Sequence, residues 1–213
     1  MTGDGPEAVG QIVPVSRETQ AKLARFVDLI RRWNSAENLV SPDDLGQIWA
    51  RHVADSAQLP LLMPEARRWV DIGSGAGFPG VVIALVGANG THVDLIESNR
   101  RKCAFLRQAI RETAAPAVVH EGRAETLLRE WAAAADCVTS RATAPLPRLL
   151  ELAAPLLLRR TPALFPKGRG HAAEVGEAAL AFEFDLLEHE SRIDPDGKIL
   201  EIRSVRPRPS ARR

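Results

Sequence analysis

Leu23, Phe26, Val27, Ile30 and Trp33 recur at helical spacing, with Ser16 placed to cap a helix over 16–33. Ser41-Pro42-Asp43 opens a second helix, with Leu45, Ile48, Trp49 and Val53 on one face. From residue 69 the period changes. Short apolar runs at 69–72, 92–96, 117–120, 136–140 and 162–165 predict five strands. Helical patterns follow them at 81–85, 99–113 (Cys103, Leu106 and Ile110 inward), 123–132, 145–158 and 170–181. Repeated βα units predict a parallel sheet with right-handed crossovers. Two further strands, 184–191 and 199–205, flank the turn sequence Asp194-Pro195-Asp196-Gly197 and predict an antiparallel hairpin. The expected organisation is a flexible N-terminus (1–14), a helical segment packed on the core (15–66), a strand–helix domain (67–205) and a disordered basic tail (206–213).

The first strand runs into Asp71-Ile72-Gly73-Ser74-Gly75-Ala76-Gly77-Phe78-Pro79-Gly80. Strand, glycine loop and helix start together make a nucleotide-sized pocket. No Gly-Lys-Ser or Gly-Lys-Thr is present, which excludes a P-loop. Gly75 to Gly80 satisfies G-x-G-x-x-G, so a nicotinamide reading stays open. The longer Asp-Ile-Gly-x-Gly-x-Gly form resembles the S-adenosylmethionine loop of Rossmann-like methyltransferases. Five βα units closed by a hairpin is also the class I methyltransferase order. The expected fold class is therefore α/β: a mostly parallel seven-stranded sheet with a C-terminal antiparallel hairpin and an N-terminal helical segment.

Composition adds bounds. The chain has 213 residues, 45% hydrophobic and 26% charged, an ordinary globular balance. Its net charge of +1 does not by itself announce a nucleic-acid binder. Cys103 and Cys137 have no metal-ligand spacing and predict no disulfide framework. The N-terminus has no signal-peptide core, and no apolar run reaches the ~20 residues of a membrane span. A soluble, cytoplasmic, monomeric protein without a bound metal is expected.

Several residues carry candidate chemistry. Asp71, Gly73, Gly75 and Gly77 belong to the loop, Asp71 as scaffold or ligand contact. Glu97 ends the second strand, where a carboxylate can accept from both ribose hydroxyls of an adenosine. Backbone groups at Ala124 and Glu125, after strand three, could read an adenine edge. Strand four ends in Ser140-Arg141-Ala142, without the Asp/Asn-Pro-Pro-aromatic motif of amino-group methyltransferases. Neither cysteine sits as a carbon-methylating nucleophile would. Arg141 could fork onto a carboxylate or phosphate. His52 and Asp55 share a helix face, either as a structural pair or at the site. Asn34 and Asn38 could cap turns or touch a target. Among several basic clusters, Lys167 and Arg169, with His171, follow strand five at the carboxyl edge and are the expected RNA contacts.

Trp33-Asn34, Asn38-Leu39, His52-x-x-Asp55-Ser56, Gly77-Phe78-Pro79-Gly80, Arg107-Gln108, Ser140-Arg141-Ala142 and Lys167-Gly168 resemble, in order and spacing, the bacterial 16S ribosomal RNA guanine-N7 methyltransferase family (glucose-inhibited division protein B). The resemblance spans roughly residues 16–205. It implies S-adenosyl-L-methionine as cofactor and a guanine in the decoding-region hairpin of 16S ribosomal RNA, in the small ribosomal subunit, as substrate. It also implies cofactor contacts at Gly73, Phe78, Ala124, Glu125 and Arg141. Guanine N7 carries a lone pair and no proton, so in-line attack needs no general base. Placement would then carry catalysis, with Arg141, Lys167, His52 and Asp55 as positioning candidates. The alternatives are a methyltransferase for another substrate and a non-catalytic RNA-binding or ribosome-assembly factor on the same fold.

Overall fold

The computed structural model describes residues 4–141 and 144–208. Seven strands form one sheet: β1 (Arg68–Ile72), β2 (His92–Glu97), β3 (Ala117–Glu121), β4 (Cys137–Thr139), β5 (Ala163–Lys167), β6 (Phe182–Glu190) and β7 (Lys198–Pro207). Their spatial order is β3-β2-β1-β4-β5-β7-β6. β1 to β5 pair in parallel, β7 runs antiparallel to β5, and β6 pairs antiparallel with β7. The order reverses between β1 and β4, so a crevice opens beyond their carboxyl ends. Asp194 O accepts from Gly197 N (2.9 Å), closing the hairpin turn.

Apolar side chains leave β1 on both faces. Trp69 packs with α2 (Arg17–Asn34), α6 (Gly80–Val86) and α7 (Arg100–Thr113), while Val70 and Ile72 pack with α9 (Leu146–Leu157) and α10 (His171–Ala181). The stripe Leu23, Phe26, Val27 and Ile30 of α2 is fully buried in the first of these cores, so the helical segment shares one core with the strand–helix domain. Ser16 caps α2 as expected, its Oγ accepting from Thr19 N (3.0 Å).

Three expectations need correction. The second helix stops after α3 (Pro42–Leu45); the chain then rewinds as a π-helical turn, Trp49–Ala54, followed by α4 (Asp55–Ala57) and α5 (Leu59–Leu62). The apolar spacing fits either winding, so the pattern could not separate them. Within 1–14, residues 4–14 carry structure that the sequence pattern did not predict: α1 (Glu7–Gly10) buries Val9, and Asp4 bonds the π-helical turn. Residues 1–3 lie outside the described residues. Of the tail expected at 206–213, Arg206 and Pro207 pair with β6 in β7; 209–213 lie outside the described residues.

Candidate active site

The loop after β1 is held from two sides. Gly73 N and Ser74 N donate to Ile96 O of β2 (2.9 and 3.0 Å), and Gly77 N donates to Ser74 O (2.7 Å). Gly75 has φ 53° and Gly77 φ 87°, backbone that a Cβ disfavours. A Cβ on Gly77 would stand 2.8 Å from Val81 Cγ2 and 3.0 Å from Phe26 Cζ, so Gly77 is a packing position under the loop. Gly77, expected as a cofactor contact, is not among the residues that wall the cleft. Asp71 takes the scaffold role of its two expected ones. It is fully buried, its Oδ2 accepts from Gly80 N (3.2 Å), and it does not line the cleft. Burial pushes its carboxyl up to about 7.

Glu97 does reach the cleft. Its Oε2 accepts from Gly75 N (2.9 Å) and its Oε1 from Asn99 N (2.7 Å). These bonds tie the glycine loop to the start of α7 and orient the carboxylate. Each oxygen keeps acceptor capacity for a hydroxyl. The cleft, about 690 Å³, is walled by Gly73, Gly75, Phe78, Glu97, Ala124, Glu125 and Arg141. Ala124 and Glu125 open α8 (Ala124–Arg129), and the Glu125 carboxylate pairs with Arg148. The side chain of Asn34 bonds both the N–H and the C=O of Val40 (3.0 and 3.1 Å), holding the Leu39–Ser41 rim. Donors and acceptors spaced along a deep groove, with one fixed carboxylate, fit an adenosine-bearing molecule.

Arg141 is the hub between sheet and helical segment. Its Nη1 donates to Arg51 O (2.8 Å) and Asp55 Oδ2 (3.2 Å), and its Nη2 donates to His52 Nδ1. The guanidinium carbon lies 5.4 Å over the Phe78 ring, and the His52 ring stacks at 4.9 Å from it. The fork expected for a carboxylate or phosphate is thus engaged by the helical segment, because Arg51, His52 and Asp55 all converge on it. Arginine only donates, so His52 accepts at Nδ1 and carries its proton on Nε2. Burial, then the Arg141 charge, lowers the His52 pKa to about 4, leaving the ring neutral near pH 7. Burial raises the Asp55 carboxyl, opposed by Arg141. His52 and Asp55 therefore act through one arginine rather than as a mutual pair, and both face open space.

That space is a second cavity of about 850 Å³, walled by Asp55, Lys167, Glu174 and Asp194. Asp44, His52, Arg141 and Ala144 line both cavities, so the two meet at one wall. Lys167 departs from expectation. Its side chain is 7% exposed and its Nζ donates to Ala144 O and Glu174 Oε2, both at 2.8 Å. It is a buried structural ammonium rather than a free phosphate contact. Arg169 is 86% exposed and pairs with Asp196, and His171 Nδ1 lies 3.1 Å from Gly168 O. Burial raises the Cys103 thiol to about 11 and lifts the Cys137 thiol well above its ordinary value, so neither is a ready nucleophile. No cluster of metal-ligating side chains and no helix long and apolar enough to cross a membrane occur among the described residues. Ala142 lies outside them.

Two residues escaped the sequence reading. Asp44 reads as a helix-start acid after Ser41, whose Oγ bonds its Oδ2 (2.7 Å), yet its Oδ1 lies 3.7 Å from His52 Nε2. Gln58 is buried, and its amide joins Asp55 Oδ1 (2.8 Å), Ser191 Oγ (3.3 Å) and Arg192 N (2.9 Å). No local signal marks a glutamine for that task; two of its three partners, Ser191 and Arg192, are remote in the chain.

Residues 19–196 match the family model described as rRNA small subunit methyltransferase G (GidB). A relative from Methylorubrum populi bearing the name ribosomal RNA small subunit methyltransferase G is 47% identical over 90% of this chain and 91% of its own. One of the same name from Bradyrhizobium diazoefficiens is 46% identical over 93% and 76%. Among solved structures, the O-methyltransferase TomG from Streptomyces achromogenes in complex with SAM superimposes with a TM-score of 0.60 at 16% identity, covering 96% of this chain and 99% of its own. An O-methyltransferase from Bacillus cereus in complex with SAH gives 0.58 at 15%, over 93% and 96%. These likenesses establish the fold as that of class I methyltransferases. On the family match and the close relatives together, the chain belongs to the rRNA small subunit methyltransferase G family.

Proposed function

We propose that this chain transfers the methyl group of S-adenosylmethionine to N7 of a guanine in small-subunit ribosomal RNA. The observation that carries the reading is the wall shared by two cavities. The glycine-loop cleft and the carboxylate-lined cavity meet at Asp44, His52 and Arg141. Family membership supports the RNA class.

Bound S-adenosylmethionine supplies an electrophilic sulfonium methyl that a purine lone pair can take without loss of a proton. The protein's task is then placement and electrostatics. Glu97 holds the sugar hydroxyls, and Gly73, Gly75 and Ala124 present backbone to the ligand. Phe78, stacked by His52 and Arg141, walls the junction and excludes water. The methylated ring becomes cationic. His52, neutral at pH 7, adds no second positive charge, and the Arg141 charge is offset by Asp55. Arg169 and His171 follow Gly168, which lines the second cavity, and would supply phosphate-facing groups.

The test is transfer of labelled methyl to small-subunit RNA, with mapping of the modified base. Label at a guanine N7 is expected; label elsewhere, or none, overturns the reading. Gly75→Val should abolish both donor binding by calorimetry and turnover, because a β-branched residue resists φ 53° and blocks the backbone approach. Retained donor affinity in that variant would remove the cleft assignment.

A further inference from the structure

Arg51, His52 and Asp55 are delivered to Arg141 by the π-helical turn Trp49–Ala54 and its continuation. A π turn holds one residue more than an α turn and is the rarer winding. Rewinding it as α would shift every later side chain by one residue, about 100° around the axis. That would carry His52 and Asp55 away from the guanidinium. The turn therefore needs an outside hold, and its first amides have one. Asp4 Oδ2 accepts from Trp49 N (3.1 Å) and Asp4 Oδ1 from Ala50 N (2.9 Å). Two charge-assisted bonds at a helix start also oppose its dipole. The rest of the strap is anchored: Val9 is buried in the main core, and Val9 O accepts from Ile12 N and Val13 N (2.9 and 3.0 Å). Residue 4 stands outside the 19–196 segment that the family model matches.

We propose that Asp4 is a positioning residue for this site: its carboxylate holds the π-helical turn in the winding that presents Arg51 O, His52 Nδ1 and the Asp55 carboxylate to Arg141. The proposal rests on the methyl-transfer reading for its consequence in turnover, and on geometry alone for its effect on the turn.

The experiment compares the full chain with Asp4→Ala and Asp4→Asn. It reads amide exchange at Trp49 and Ala50, the His52 imidazole titration, Tm, and kcat/KM on small-subunit RNA. The groups facing His52 are Asp44, Arg51, Asp55 and Arg141, all kept in both variants. In Asp4→Ala the two amides should exchange at least about tenfold faster, and the His52 pKa should rise from about 4 toward its ordinary 6.5. Turnover, kcat/KM, should fall roughly tenfold at temperatures well below Tm. Asp4→Asn keeps an acceptor oxygen and should fall between. A lowered Tm with exchange at Trp49 and Ala50, the His52 pKa and kcat/KM all within twofold of the unaltered chain would reduce Asp4 to a packing contact and overturn the proposal. If Asp4→Ala does not fold, Asp4→Asn decides on the same readouts. If the unaltered chain methylates no RNA, the functional reading fails, while exchange and titration still decide the role of Asp4.

Discussion

Asp71 shows how burial alters a residue whose position is plain in the sequence. Its ordinary pKa is 3.8 and burial raises it to about 7. Between those values the unfolded chain has lost the proton and the folded chain keeps it. Stability therefore falls as pH rises from about 4 to 7. Asp71→Asn cannot ionise, so denaturant titrations should show it gaining on the unaltered chain across that window, by at most about 4 kcal/mol. An offset independent of pH would mean that the carboxyl is ionised throughout. His52 runs the other way. Its pKa is lowered from 6.5 to about 4, so its contribution is present above pH 6.5 and lost as pH falls toward 4. His52→Asn should flatten that acid limb. Both residues stand out in the sequence, one before the glycine loop and one in a His-x-x-Asp pair. Which direction their side chains face depends on strand register and helix winding, and neither is a local property.

At the scale of elements, the chain's own periodicity accounts for α2, α7 and all five parallel strands. It misses the break after Leu45, because Ile48, Trp49 and Val53 remain apolar through an α or a π winding. Gln58 is the element-scale fastener. It joins the end of α4 to the turn between β6 and β7, through Ser191 Oγ and Arg192 N. Gln58→Ala should leave the Arg192 amide without that partner and loosen Asp55. A loss of about 1–3 kcal/mol in denaturant unfolding is expected. A fall in kcat/KM larger than the Tm shift explains should accompany it, since Asp55 supports Arg141. Unchanged unfolding would mean that the hairpin turn is held elsewhere.

At the scale of the whole molecule, net charge says little, because pairing decides which cations are free to meet a phosphate. Lys167 is spent on Glu174 and Ala144 O inside the fold, whereas Arg169 is exposed and tied to an exposed carboxylate. Surface pairs of the second kind are worth little. Lys167→Met should lower Tm, since Glu174 loses its cation, while leaving the salt slope of RNA binding unchanged. Arg169→Ala should keep Tm and reduce that slope by about 0.7–0.9, one phosphate contact. A reduced slope in Lys167→Met would show that its pair opens when RNA binds.

The amino-acid sequence alone determined the βα alternation, the closing hairpin, the glycine loop and the acid at the end of β2. Each is written in residues a few positions apart, through side-chain period and backbone permissiveness. Tertiary structure decided what Arg141 holds, that His52 is neutral, that Lys167 is inward and that Asp4 grips a turn forty-five residues away. These depend on burial and on contacts between distant segments. Desolvation and charge pairing act through space, and the order of residues along the chain does not encode them one by one.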